Sequence, residues 1–337
     1  MDKKIRNNIS CIAIIAILLS CIFGISGCSA KNTVLNERDD NTANESMQTD
    51  TETKMQEVSG NIGLLKQINM FDQQTGWALT SENEVLYTNG GVDYFQSVHK
   101  VETADQNTYN FVNACFVDKI TMYLVYFLGE NIVVESTMDA GQSWKQVLLP
   151  YKEYGGAGEA FISFVDEQNG YLLYCSDPGG GQMTKILFGT KDGGEHFEVI
   201  SDLSNEISGY PTGISFSSLL QGYIATTYHG ENKYLFQTTD CGVTWKSLSL
   251  EQNDKISDVS YVEGYPPVFF GKEKQEGKLV LKYVGAEKNS YIEYTTHDGG
   301  STWTINDTLE CDSIQSYSFV DEKEGFIVDE SGRVFHR

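Results

Sequence analysis

From Leu65 onward the chain alternates short apolar runs with clusters of Gly, Asp, Asn and Ser. Lys185-Ile-Leu-Phe-Gly189, Lys233-Tyr-Leu-Phe-Gln237 and Ser290-Tyr-Ile-Glu-Tyr294 are typical runs. They are rich in β-branched and aromatic residues and too short for stable helices, so they predict strands joined by tight turns. One stretch divides cleanly into four: Thr212–Ser217, Tyr223–Tyr228, Lys233–Thr238 and Val243–Leu248.

The pattern recurs about every fifty residues, a period that signals an array of supersecondary units. Two motifs mark it. The first is an apolar strand ending in Phe, followed by a turn and Gly-aromatic. It reads Phe71…Gly76-Trp77, Phe164…Gly170-Tyr171, Phe216…Gly222-Tyr223 and Phe319…Gly325-Phe326, with a weaker version at Phe116 and an outline at Val259–Tyr265. The second is Thr-x-Asp-x-Gly-x-x-aromatic. It comprises Thr137, Asp139, Gly141, Trp144; Thr190, Asp192, Gly194, Phe197; Thr238, Asp240, Gly242, Trp245; and Thr296, Asp298, Gly300, Trp303. A fainter copy has Asn89, Gly91 and Tyr94, with Thr88 one place out of step. An Asp or Asn side chain accepts backbone N–H bonds and closes a turn, and glycine supplies positive φ. The second motif therefore predicts a hairpin turn with the aromatic packed beside it, and its aspartates have a structural role.

These boxes resemble the Asp-box, or bacterial neuraminidase repeat, over roughly residues 60–337. The resemblance implies an all-β fold, a β-propeller of four-stranded antiparallel blades. Six units begin near Leu65, Phe111, Ala160, Thr212, Ile256 and Gln315. Seven is the alternative, because the fifth carries extra strand-like sequence at Lys278–Val284. Boxes of this kind occur in sialidases, xyloglucanases, sortilin-like receptors and photosystem II assembly-factor propellers, so the motif implies fold rather than activity. Likeness to the assembly factors implies a binding or assembly scaffold. The last unit stops after its third strand, Gly332–Arg337, and the spare residues Met55–Gly63 are expected to supply its fourth.

The N-terminus changes the picture of location. Lys3, Lys4 and Arg6 precede an apolar run, Ile12–Phe23, of signal-peptide length. It ends in Ile25-Ser26-Gly27-Cys28, which resembles a bacterial lipobox. Residues 1–27 are thus expected to be a lipoprotein signal peptide, with Cys28 acylated and the domain lipid-anchored on the outer side of the cell membrane. Residues 28–54 are polar and acidic and read as a disordered tether, leaving 55–337 as the propeller.

The formal net charge of −23 over 337 residues argues against a nucleic-acid partner. Cys115, Cys175, Cys241 and Cys311 show no paired spacing, and free thiols are the leading reading. No histidine spacing suggests a metal, and no cofactor motif is present, so none is expected. A sialidase needs three converging arginines, and this chain has only Arg6, Arg38, Arg333 and Arg337. Another glycosidase would need two facing carboxylates; Glu153, Glu159, Asp177 and Glu231 lie on loops. Enzymatic activity is therefore left open, with none the favoured reading.

The irregular loops Leu148–Glu159, Ser176–Thr184, Ser201–Pro211, His229–Asn232 and Glu273–Lys278 are assigned to one face. Variable loops on a rigid scaffold carry binding, and Tyr151, Tyr154, Tyr210 and Tyr228 are its candidate anchors. The expected partner is a protein, with a glycan as the alternative: a carbohydrate-binding or glycoside-hydrolysing propeller that is not a sialidase.

Overall fold

A computed structural model describes residues 56–57, 63–102, 111–179, 182–227, 233–251, 256 and 259–337. The signal segment 1–27, Cys28, the tether 28–54 and Tyr228 lie outside the described residues. Among those described, no helix is long and apolar enough to cross a membrane.

The strands form antiparallel four-stranded groups arranged as a β-propeller. Blade one comprises Leu65–Met70, Gly76–Thr80, Glu84–Thr88 and Gln96–Lys100. Blade two is Val112–Phe116, Met122–Leu128, Asn131–Thr137 and Lys145–Pro150. Blade three is Gly158–Phe164, Gly170–Ser176, Lys185–Thr190 and Glu198–Asp202. Blade four is Tyr210–Phe216, Gly222–Thr227, Leu235–Thr238 and Lys246–Ser247. Blade six holds Ser316–Phe319, Gly325–Val328 and Val334–His336, with Gln56–Glu57 as its outermost strand. Gln56 pairs with His336 and Glu57 with Phe335, the pairing expected from the truncated last unit. It gives the outer strand a hydrogen-bonded neighbour where an open edge would invite other chains.

Blade five explains the surplus strand sequence. Its inner strand is broken at Pro266-Pro267 into Val259–Gly264 and Val268–Phe270. Both halves pair with the single long strand Glu276–Gly285, followed by Asn289–Thr296 and Thr304–Leu309. Proline has no N–H to give the ladder, so two in succession interrupt it. Lys278–Val284 thus lies in the second strand of blade five; the described strands pair into five sheets, Thr227 of blade four joining Glu263 of blade five, and divide into six blades.

The second strands are apolar on both sides; every residue of Gly170–Ser176 is buried. The cause is the packing. Six apolar layers each lie between consecutive blades, and the sixth joins Phe326, Val328 and Val334 of the last blade to Leu65, Ile68 and Met70 of the first. A strand sandwiched between two such layers reads as a continuous apolar run.

The Phe…Gly-aromatic motif is the clasp between blades. Phe164 pairs in register with Gly170, Phe216 with Gly222 and Phe319 with Gly325. The Phe ring lies over its glycine, where a Cβ would collide with it; on Gly170 that carbon would sit 2.7 Å from the Phe164 ring. The aromatic of the preceding blade covers the other side. Tyr123 stacks on Phe164 with ring centres 3.5 Å apart, and Tyr171 on Phe216 at 3.6 Å. The same aromatics reach forward. Trp77 Nε1 donates to Asp118 O at 3.0 Å, Tyr123 Oη to Glu167 O at 2.9 Å and Tyr171 Oη to Leu219 O at 2.5 Å. In blade one the register partner of Gly76 is Met70 rather than Phe71, and the Met70 sulfur covers the glycine.

Blade five departs from the pattern. Its motif is Phe269…Gly277-Lys278, and Lys278 stands where an aromatic is expected. Its ammonium lies over the Phe319 ring at 5.1 Å and pairs with the fully buried Glu293. Arg337 and Asn306 also bind that carboxylate, Asn306 at 2.6 Å. A buried carboxylate with three donors has its desolvation cost offset; with one removed it would not.

Candidate functional site

The four full boxes are closed by their own hydrogen bonds. Thr137 Oγ1 donates to Asp139 Oδ1 at 2.8 Å and accepts the Gly141 N–H at 3.0 Å. Asp139 then accepts the Ser143 N–H at 2.8 Å and the Ser143 hydroxyl at 2.6 Å. Thr244 makes the same pair of bonds to Asp240, and Thr302 to Asp298. At Asp192 the partner is His196, through its N–H at 3.0 Å and its ring nitrogen at 2.7 Å. Both oxygens of every box carboxylate are therefore engaged inside the turn. The bonds from His196 hold Asp192 down to about 2. Asp139 is lowered by the Ser143 hydroxyl and N–H. For Asp240 and Asp298 burial pushes upward, and bonds from Thr244 and Thr302 outweigh it. The box glycines have the left-handed backbone the turn needs, with φ of 85° at Gly141 and 90° at Gly300. Trp144 and Trp245 donate back to the carbonyls of Gly141 and Gly242, and Trp303 is buried in the layer between blades four and five. Phe197 packs against the layer between blades two and three.

The faint fifth copy is placed differently from its sequence reading. Thr88 pairs with Gly76 as Thr190 pairs with Gly170, so Thr88 is in step. Counted from it, Phe95 takes the aromatic place and packs against the core, whereas Tyr94 is 68% exposed. Thr88 Oγ1 bonds directly to Gly91 O at 2.7 Å, and no bond from Asn89 closes the turn among the described residues. With Gly90 where an Asp would stand, the threonine hydroxyl takes over the closure.

The candidate tyrosines are also redistributed. Tyr151 is buried: its ring packs edge-on to Phe127 at 5.1 Å and its hydroxyl donates to Gly129 O. Tyr154 is half-buried against Phe188. Both belong to the core between blades two and three, so Tyr151 offers no anchor for a partner. Tyr210 is exposed. The loop Glu273–Lys278 is corrected too. It joins an inner strand to its second strand and bonds to the last box, with Gly299 N–H donating to Gln275 O at 2.9 Å. It therefore lies on the box face, opposite the loops Leu148–Glu159 and Ser201–Pro211.

Two hollows remain. The inner strands surround a central channel of about 520 Å³. Many of its polar groups are used between neighbouring strands: Gln67 makes bonds in both directions with Ala114, and Ile162 N–H donates to Asn113 Oδ1. Lys66 and Lys274 line it, bonded to Asn83 and to Val165 O, and burial lowers both ammonium pKa values. The second hollow is a groove of about 550 Å³ beside blades three and four, lined by Lys185, Ser208, Tyr210 and Trp245 among others. Nothing in the sequence pattern marked Lys185 or Ser208, which come together through the loop between blades.

Elsewhere, Glu159 is raised by burial and then by the nearby Asp177 charge. Arg333 pairs with Asp329 and Arg337 with Glu293, so both described arginines are taken by the protein's own carboxylates. The four described cysteines are free thiols. Glu276, His297 and Glu322 bring three ligand atoms within 4.8 Å of one another at the surface, a set that could hold a divalent ion. His297 Nδ1 already lies 2.5 Å from Glu276 Oε2. Sequence spacing hid this cluster because its members come from three separate places in the chain, Glu276 opening a strand and His297 and Glu322 in turns.

No protein-family model matches the chain, and no curated protein matches it. Solved structures do. One described as YCF48 bound to D1 peptide is 17% identical, with 84% of this chain and 95% of that chain covered and a TM-score of 0.42. YCF48 from Cyanidioschyzon merolae is 14% identical over 84% and 98%, with a TM-score of 0.46. The WD40 β-propeller domain of Doa1 is 9% identical over 84% and 96%, with a TM-score of 0.47. That the chain is a β-propeller rests on its own blades and their strand pairing.

Proposed function

We propose that this chain is an Asp-box propeller that acts as a binding scaffold for a protein partner, tethered outside the cytoplasm by a lipid on Cys28. The box aspartates are structural in this reading, since their carboxylates are spent within their own turns. The observation that carries it is the division of labour between faces. One face is built of regular, self-bonded turns; on the other, loops of unequal length run between blades and leave Tyr210 exposed. Rigid scaffolds with variable loops on one face are built for recognition. The lipobox-like Ile25–Cys28 and the tether 28–54 support the location, and the net charge of −23 disfavours nucleic acid.

The test is crosslinking and affinity capture from intact membranes, with Cys28→Ser alongside. A discrete partner is expected with wild type, together with an acyl mass on Cys28 and release of the variant into the soluble fraction. A variant that stays equally membrane-bound, with no acyl mass on wild type, sinks the anchor. A surface whose loop variants leave all crosslinks unchanged sinks the partner face.

A further inference from the structure

The groove beside blades three and four contains a charge without a counterpart. Lys185 is only 4% exposed and lines the groove. Among the described residues, its ammonium has no hydrogen-bond acceptor and no carboxylate partner. Burying a cation alone is costly, and a folded chain retains one where something else completes it. The loop 203–209 forms one wall, and its Ser208 Oγ is turned into the protein, shut off from solvent.

We propose that this groove is a binding site for a carboxylate-bearing sugar, a hexuronate residue of an acidic glycan, with Lys185 receiving the carboxylate. The charge count selects a monoanion. Lys185 offers one unpaired positive charge; Lys233 also lines the groove but is already engaged. Glu206 stands in the wall and would repel a second negative charge, so a dianionic phosphate fits poorly. Glu159 faces the same side of blade three, through Cys175, but makes no bond to the lysine.

The rest of the lining selects a sugar ring. Trp245 is half-buried and Tyr210 exposed, giving two aromatic surfaces, and the amides of Gln182 and Asn205 present paired donors and acceptors. Aromatic walls with a few placed polar groups are the usual makeup of a small-ligand site, and about 550 Å³ is ample for one ring. An extended peptide would want a free strand edge. The nearest strand, Lys246–Ser247, is two residues long, and the residue after it is already bonded, with Leu248 N–H donating to Leu235 O at 2.9 Å. The site shares Tyr210 with the partner face proposed above but rests on Lys185, which that reading does not use.

The full chain is titrated calorimetrically with sodium glucuronate, glucose and N-acetylglutamate, and thermal unfolding is followed in parallel. Glucuronate should bind and raise the melting temperature. Glucose should bind at least about tenfold more weakly, as should glucuronate to Lys185→Met, because each loses a charge-assisted bond. Lys185→Arg should retain most of the affinity. Lys185→Met should melt no lower than wild type without ligand, since it removes an unpaired buried charge. The proposal fails if glucuronate gives no heat into the millimolar range, or if it binds Lys185→Met unchanged. It also fails if N-acetylglutamate binds more tightly than the sugar, which would make the groove a site for acidic peptide. Loss of the protein partner without loss of glucuronate binding would overturn only the scaffold reading.

Discussion

Gly170→Ala tests the clasp between blades. The added Cβ would lie 2.7 Å from three atoms of the Phe164 ring. Carbon atoms rest at about 3.5–4.0 Å, so the ring must retreat by roughly 1 Å. It has nowhere to go, because Tyr123 lies parallel to its other side at 3.5 Å and 3°. Tyr123 is itself fully buried and held by its bond to Glu167 O. Overpacking of this kind costs about 1–3 kcal/mol. The loss of chain freedom on replacing glycine returns about 0.4–1 kcal/mol. A net loss of about 1–2 kcal/mol should lower the melting temperature by roughly 2–4 °C in a domain of this size. Gly156→Ala is the control: nothing lies within 4 Å of its Cβ position, and it should be nearly neutral. The decisive arm is a double-mutant cycle with Phe164→Leu, measured by urea unfolding. Without the ring, Gly170→Ala should cost nothing, giving a coupling of about 1–2 kcal/mol. Equal cost in both backgrounds would refute the stacking argument.

Other expectations follow from the same geometry. Asp298→Ala removes the acceptor of the Thr302 N–H and hydroxyl and should cost about 1 kcal/mol, as for a lost cap; an unchanged melting curve would reverse the structural assignment. The depressed box carboxylates make stability acid-sensitive. Their contribution is fully present above the unfolded value of about 3.9 and is lost as pH falls through the folded one, about 2 for Asp192. Melting temperature should therefore fall across that window, less steeply in Asp192→Asn, and a flat profile would count against it. Deleting 55–63 removes the strand paired with Phe335 and His336, so it should lower the melting temperature and promote oligomers. Deleting 31–50 should do neither, and identical behaviour of the two deletions would sink the closure.

What the sequence determined by itself was whatever is decided within a few residues. The boxes were legible because Thr137, Asp139, Gly141 and Ser143 bond to one another across four positions. The Phe…Gly motif was legible because Phe164 and Gly170 meet across one short turn. Even these local readings slipped where two residues competed for one place. Met70 rather than Phe71 faces Gly76, and Phe95 rather than Tyr94 packs, because strand register, set by pairing, chooses between neighbours. Only the tertiary structure decided the contacts between blades. Tyr151 was buried by Phe127 and Tyr174, the Glu276–His297–Glu322 cluster was drawn from three separate parts of the chain, and Lys185 was set in the wall of a groove between blades. Tyr123 meets Glu167, and Arg337 meets Glu293, across 44 residues each. A hydrophobic period announces that such blades exist, but it carries no record of which side chains face each other across the seams. That depends on how blade stacks on blade, a property of the closed ring rather than of any single strand.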